Sequence, residues 1–596
     1  MQSFDQALAA RPGYVEALHN RGVALREAQQ PEAALASFDS ALALSPSLAE
    51  THYIRAAVLR GLGRLEAALA GYDSVVALQP GRADAYNNRG NLLLDLNRPE
   101  EALASFNQAI QVQPDHVEAH NNRGVALKEL QRLGEALAEY EHAISLKPDY
   151  ASTLLNRALA TLLGGDLASG FRHYEVRRHP PGTTPAPLPP PGSSLAGKRV
   201  LVTAEQGLGD TFQFCRYVKL LKQQQAEVCF AVQPALLPLF RQWEPEVCRL
   251  LPPEAAEPEC DYRIPLLSLP LVFGTTLASV PAATPYLRAE PERVARWRGR
   301  LGGHGFKVGI CWQGSTAPVD RGRSFPVAEF ERLSQIPGVR LISLHRGAGE
   351  AQLAQLPPGM QVEALGEAFD APGAAFLDTA AVIRLCDLVI TSDSAVAHLA
   401  GALGVRAWVV LRHVPDWRWL LHREDSPWYP TARLFRQERP GDWASAFAKV
   451  ETALRAEWPR PGAASAAPLV PLSWGEVLDR MASLKVKQAR LAGGPALVQA
   501  SRELAQLEAI VARSTCMSAA VQQAMDDLWR INRQLADMEE RLRALEQAKQ
   551  FNEAFIQLAR SVYQTNDMRA QLQQRINELT MPCPAQPQHQ PSLQGH

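Results

Sequence analysis

Across residues 1–178, small, apolar and aromatic positions recur with one fixed period. Ala34, Ala68, Ala102 and Ala136 are each followed by leucine, and Phe38, Tyr72, Phe106, Tyr140 and Tyr174 keep the same phase. Prolines at 12, 46, 80, 114 and 148 and arginines at 21, 55, 89, 123 and 157 step by the same interval. Small residues let two helices approach, aromatics fill the gap between them and proline ends each pair. The period therefore predicts stacked antiparallel helix pairs, none of which can bury its apolar face alone. Beyond residue 198 the pattern becomes short apolar runs between turns, which predicts buried strands at 199–204, 307–312, 340–344 and 387–391 and a last one at 407–411. From 473 to 580 apolar residues return to helical spacing.

A unit with this period and these residues is the tetratricopeptide pattern, so residues 1–178 are expected to form an all-α solenoid. Phe4 lies one period before Phe38, and the chain accordingly opens on the second helix of a repeat whose first is missing, through an upstream start or a frayed edge. The last unit is degenerate, with Gly170 at the alanine position. The first helix of each pair lines the concave side of such an arm, which places Asn20, Asn88, Asn122 and Asn156 in a row broken by Ile54. The row resembles the asparagine ladder of eukaryotic O-GlcNAc transferase. That likeness implies peptide binding, because an amide carries both a donor and an acceptor as a peptide bond does. The alternative is that these side chains brace neighbouring repeats.

The proline-dense run 179–197 cannot form a helix and predicts a semi-rigid spacer ahead of two lobes, 198–303 and 304–458. In the first lobe a strand, the tight turn Gly207-Leu208-Gly209-Asp210 and a helix over 211–221 form the corner at which doubly wound sheets meet phosphates or sugars. Asp210 also suits the cap of that helix. In the second, strand 307–312 leads into a charged, glycine-containing loop with Arg321 and Arg323, and Ser392-Asp393-Ser394 precedes a helix of small residues. The N–H groups at the start of that helix can meet a diphosphate.

The blocks ITSDSAVAHLAGALG, DTAAVIRLCDL, EQGLGDTFQFCRYV, DRGRSFPVAEF and PDWRWLLHREDSPWYPTARLFRQ resemble the ADP-heptose heptosyltransferase family and its repeat-fused bacterial relatives, over residues 198–454. The resemblance implies an α/β GT-B fold of two Rossmann-like lobes, with the acceptor at the first and a nucleotide-sugar donor at the second. It also implies inversion at the anomeric carbon, no metal, and no cofactor beyond the nucleotide-sugar co-substrate. Asp210 takes the place of the family's proposed general base, Arg321 and Arg323 stand near the donor phosphates, Asp393 at sugar hydroxyls, and Ser394 and His398 in the donor motif. Lysine is common where the two arginines stand, and Asp393-Ser394-Ala395 replaces a frequent Asp-Thr-Gly. The arginines also fit a solvated surface, and His398 also fits helix packing. Gln206, Gly207 and Gly209 on the turn, Trp312 after its strand, and the cluster Trp417, Arg418 and Trp419 form a second tier. Those tryptophans suit packing between lobes as well as stacking on a ligand.

Composition narrows the partners. Lys+Arg 61 against Asp+Glu 62 leaves no basic footprint for a nucleic acid or an anionic membrane. Cys215, Cys229, Cys248, Cys260, Cys311, Cys386, Cys516 and Cys583 lack metal-ligand spacing, so neither disulfides nor zinc are expected. With no leader pattern and no transmembrane segment, the expected location is the cytoplasm. Residues 459–472 form a second linker. Ser473 and Glu476 then have the spacing of a reciprocal helix cap, and Leu504, Leu507, Ile510, Val511, Leu528, Ile531, Leu535, Met538, Leu542 and Leu545 predict a helical hairpin or bundle over 473–580. Coiled-coil pairing of these helices would make a homo-oligomer. GEVLDRMASLKVKQARL and FNEAFIQLARSVYQTNDMRAQLQQRINEL resemble a bacterial domain of unknown function met in polysaccharide and glycosylation settings, and 581–596 has the composition of a disordered tail. Two functions are consistent with this organisation. One is a glycosyltransferase acting on a protein or glycan acceptor, with the arm holding acceptor or protein partner. The other is a non-catalytic repeat scaffold around a degenerate transferase module.

Overall fold

The structure, a computed structural model, describes residues 2–178, 184–314, 322–371, 373, 375–458, 473–490, 495–512 and 518–580. It divides into two compact units, Met1–Gly462 and Ala463–His596. The first opens with helix Gln2–Ala10 and continues as helix pairs Val15–Glu27 and Pro31–Leu44, Ala49–Gly61 and Leu65–Leu78, Ala83–Asp95 and Pro99–Val112, Val117–Glu129 and Leu133–Leu146, then Ala151–Leu163 and Leu167–Tyr174. The periodic alanines and aromatics are the buried core of these pairs. Close approach explains the glycines among them: a Cβ at Gly90 would lie 2.4 Å from the Phe106 ring. The periodic arginines tie each pair to the one before, with Arg55 on Asp39 at 2.6 Å, Arg89 on Asp73 at 2.6 Å and Arg157 on Glu141 at 3.0 Å.

Two wholly parallel sheets follow. The first contains β1 (Arg199–Thr203), β2 (Glu227–Ala231), β3 (Arg249–Leu250) and β4 (Tyr262–Pro265), in the order β3-β2-β1-β4. The second contains β5 (Phe306–Cys311), β6 (Val339–Ser343), β7 (Leu388–Ser392), β8 (Ala407–Leu411) and β9 (Ala432–Arg436), in the order β6-β5-β7-β8-β9. Their continuous apolar runs reflect burial on both faces, as parallel sheets require. The sequence pattern makes β8 the last strand, but β9 adds an edge because Leu434 and Phe435 pack inward.

Two further expectations are corrected. The first helix of the first lobe starts at Leu208, not at 211, so Gly207 to Asp210 is not a free turn; the chain reverses at Gln206, whose φ is +62°. The run before β1 is not a spacer where it is described: Leu195 is buried in the lobe core and the Gly192 N–H donates to Val272 O at 2.8 Å. One apolar core extends from Leu162, Phe171 and Tyr174 of the last repeat through Phe212 and Phe214 of the first lobe to Trp417 and Trp428 of the second. Arm and lobes are therefore one packed body.

The second unit consists of helices Trp474–Arg490, Pro495–Ala512, Ala519–Gln547 and Glu553–Thr580. The Ser473 cap is reciprocal as expected, with the Ser473 N–H on Glu476 Oε2 at 2.8 Å and the Glu476 N–H on Ser473 Oγ at 3.3 Å. Leu478, Leu504, Val521, Leu528 and Ile576 share its core. Linker 459–472 and tail 581–596 lie outside the described residues. Among the described residues no helix is long and apolar enough to cross a membrane.

Candidate site between the two sheets

In a doubly wound sheet, ligands meet the carboxyl ends of the strands where the order reverses. In the first lobe this point lies between β1 and β4, and in the second between β5 and β7. The loop after β1 turns at Gln206 into the Leu208–Phe214 helix, and the loop after β7 turns through Asp393 and Ser394 into the Ala395–Ala402 helix. These helices touch: a Cβ on Gly209 would lie 2.9 Å from His398 Cδ2, so the approach needs glycine there. Gly209, a second-tier candidate by sequence, serves this contact between lobes.

Asp210 is the third residue of its helix. Its Oδ2 accepts the Gly207 N–H at 2.8 Å, while Oδ1 pairs with Arg418 of the second lobe. It is thus the returning half of a capping box, not the preceding cap the sequence suggested. Arg418 also donates to Asp416 Oδ1 at 2.7 Å and lies over the Trp417 ring at 4.5 Å. Burial opposes its charge, but Asp416 and Asp210 raise its pKa further above the arginine range.

Asp393 is 6% exposed and faces the Arg323 guanidinium at 3.8 Å. Burial first, then the Asp416 charge, pushes its carboxyl up to about 6, whereas Arg418 helps to hold Asp416 down. The Ser394 hydroxyl is hydrogen-bonded to Thr391 Oγ1 at 2.9 Å and makes no capping bond to its own helix. His398 Nδ1 meets Tyr429 OH at 2.9 Å, and its ring stacks on Trp419 with centroids 5.3 Å apart. Burial, then Arg418, depresses its pKa to about 3, which keeps the imidazole neutral. Arg321 lies outside the described residues.

The remaining candidates divide. The Gln206 amide donates to Tyr174 OH at 2.9 Å, a bond from lobe to repeat arm. Trp417 sits 5.5 Å from Phe171 of the arm and 6.2 Å from Phe214 of the first lobe. Trp312 is fully buried in the other core of the second lobe and stacks on His345 at 4.6 Å. Three of the four asparagines hydrogen-bond to a neighbouring repeat. Asn88 donates to Tyr53 OH at 2.5 Å, Asn122 to Asn87 Oδ1 at 2.9 Å and Asn156 to Asn121 Oδ1 at 3.0 Å, each reaching the preceding repeat; Asn20 is exposed.

Sequence reasoning missed Asp416, Tyr429 and Arg216. The Arg216 guanidinium, between Tyr286 at 4.6 Å and Tyr429 at 4.8 Å, donates to Trp428 O at 2.7 Å and Pro281 O at 2.9 Å and thereby ties the lobes. The density of aromatic and charged residues in 416–429 was the available signal. The arm adds Arg177, which pairs with Glu205 Oε1 at 2.7 Å beside Gln206.

Residues 2–49, 21–87, 53–111 and 87–151 match the tetratricopeptide repeat family. The N-terminal part is thus a tetratricopeptide-repeat solenoid, followed by parallel α/β sheets and a helical C-terminal unit. Among curated proteins, Protein FlbA of Caulobacter vibrioides is 30% identical over 317 residues, 49% of this chain. The match spans 53% of FlbA, about half its length. Among solved structures, MamA from Desulfovibrio magneticus RS-1 is 19% identical with a TM-score of 0.27, covering 28% of this chain and 93% of that one. A tetratricopeptide repeat protein from Parabacteroides merdae is 23% identical with a TM-score of 0.27, covering 29% and 68%.

Proposed function

We propose that the chain is a metal-independent, inverting glycosyltransferase of GT-B type that moves a sugar from a nucleoside-diphosphate donor to a protein or glycan acceptor. The observation that supports this reading is the meeting of two switch points: Asp210 from one pairs with Arg418 of the lobe that carries Asp393, Ser394 and His398 at the other, and Arg323 faces Asp393 there. In the proposed reaction an acceptor hydroxyl attacks the anomeric carbon while Asp210 takes its proton, and the nucleoside diphosphate departs. The two guanidiniums and the N–H groups after Ser394 take up the negative charge on the leaving group. Asp393 holds sugar hydroxyls. The repeat arm presents the acceptor or a protein partner, the C-terminal helices serve assembly, and the cytoplasm supplies the activated sugar.

A second reading, a scaffold with an inactive transferase module, is favoured by one observation: both Asp210 oxygens already have intramolecular partners. Two measurements separate the readings. UDP, GDP, ADP or dTDP at millimolar concentration is expected to raise the melting temperature, since a ligand bound only by the native state stabilises it. Asp210→Asn, which keeps the bond to Gly207, is expected to slow sugar transfer by about a hundredfold to ten-thousandfold. No thermal shift with any of the four nucleotides would leave the scaffold.

A further inference from the structure

Arg418 stands where the two lobes meet, paired with Asp210 of the facing one. It is 8% exposed, and two of its nitrogens face carboxylates from different lobes: NH2 faces Asp210 Oδ1, and NH1 donates to Asp416 Oδ1 at 2.7 Å. Its Nε has no hydrogen-bond partner, so the fork is not saturated where it rests. Asp210 is closed on its other edge by the Gly207 N–H at 2.8 Å. A base held in this way cannot readily use the oxygen that faces Arg418.

The two anions differ in what they can do. Asp416 belongs to the same loop as Arg418 and also accepts the Arg418 backbone N–H at 3.1 Å, so it tethers the side chain at short range. Asp210 comes from 208 residues away, on the facing lobe, and its side chain is 17% exposed. If Arg418 swings, water or an acceptor hydroxyl can replace it at Asp210. The charge of Arg418 is also felt at Asp393 and His398, beside the N-terminus of the Ala395–Ala402 helix. Trp419, next in the chain to Arg418, stacks on His398 of that helix with ring centroids 5.3 Å apart, which brings the guanidinium towards the helix that would receive a diphosphate. A diphosphate, with more charge than one carboxylate, competes for an arginine fork.

We propose that Arg418 is a gate between the two halves of the site: in the empty protein it holds Asp210, and a bound nucleoside diphosphate draws it away and releases that carboxylate. This rests on the donor-site reading above. Its consequence is an order of binding, because an acceptor hydroxyl meets a free base only after the donor is seated.

The test is calorimetric titration of the full chain with UDP, GDP, ADP and inorganic pyrophosphate, for wild type, Asp210→Asn, Arg418→Gln and the double variant. Asparagine still accepts the Gly207 N–H but gives up the ion pair. Asp210→Asn is therefore expected to bind the probe about tenfold more tightly, and Arg418→Gln about tenfold more weakly. In the Arg418→Gln background, Asp210→Asn is expected to change nothing further, because the coupling runs through the missing guanidinium. Tightening that persists undiminished in that background would be repulsion through space and would overturn the gate. Wild type that binds a probe while Asp210→Asn binds no tighter overturns the gate and leaves the donor site standing. If wild type binds none of the four probes, the donor-site reading falls and takes the gate with it. Should Arg418→Gln fail to fold, Arg418→Lys replaces it: lysine keeps the charge but loses the fork, and the gain from Asp210→Asn should then shrink.

Discussion

At His398 burial and charge act in the same direction. The imidazole is stacked on Trp419, bonded to Tyr429 and close to Arg418, and its pKa falls from 6.5 to about 3. Between those values the unfolded chain binds a proton that the folded one does not, so this group removes stability as pH falls through about 6.5, with the loss levelling near 3. Wild type should lose about 1.4 kcal/mol relative to His398→Gln for each pH unit below about 6, read from denaturant midpoints at pH 7, 6 and 5. Parallel slopes for the two proteins would mean that His398 is not buried in its neutral form. Asp393 runs the other way, because burial and then Asp416 raise its pKa; the cost of its charge appears as pH rises towards about 6. Both residues were legible in the motif after β7. What the motif could not give was their electrostatic state, which comes from Asp416 and Arg418 on a different loop.

At the scale of elements, hydrogen bonds of the asparagine row link repeats. Asn156 donates to Asn121, Asn121 to Asn122 and Asn122 to Asn87, so amides run across three successive repeats. The repeat period placed these side chains on one face, yet period alone could not say whether that face meets a peptide or the next repeat. Their hydrogen bonds lie along the solenoid. Asn122→Ala should cost about 1 kcal/mol, measured as faster hydrogen exchange in the Ala83–Asp95 and Val117–Glu129 helices. Unchanged exchange would return the row to the peptide-binding reading. Strands β2, β3, β4 and β9 escaped notice for another reason: each is too short, or too mixed with charged residues, to stand out by periodicity.

At the scale of the molecule, the last repeat belongs to the core of the lobes. Phe171 lies edge-on to Trp417 at 5.5 Å and to Phe214 at 6.5 Å, and thus touches both lobes at once. Phe171→Ala should cost about 3–5 kcal/mol through the cavity it leaves. Because the core is continuous, calorimetry should show the lobes melting earlier together with the last repeats. Loss confined to the repeats would mean that arm and lobes unfold separately. Arg177 on Glu205 and Tyr174 on Gln206 give the same junction a polar rim beside the candidate site.

The sequence by itself determined what depends on neighbours along the chain. Helix pairs that recur with the step from Ala34 to Ala68 to Ala102 must stack, an apolar run between turns becomes a buried strand, and Ser473 caps the helix that Glu476 helps to open because the two lie one helical turn apart. Only the tertiary structure decided which charge faces which. The Asp210–Arg418 pair spans 208 residues, the Arg216 tie to Trp428 spans 212, and Gln131 of the arm reaches His413 across 282. Such contacts arise because parallel sheets collect strand ends from distant parts of the chain at one edge, so the chemistry of that edge is set by topology.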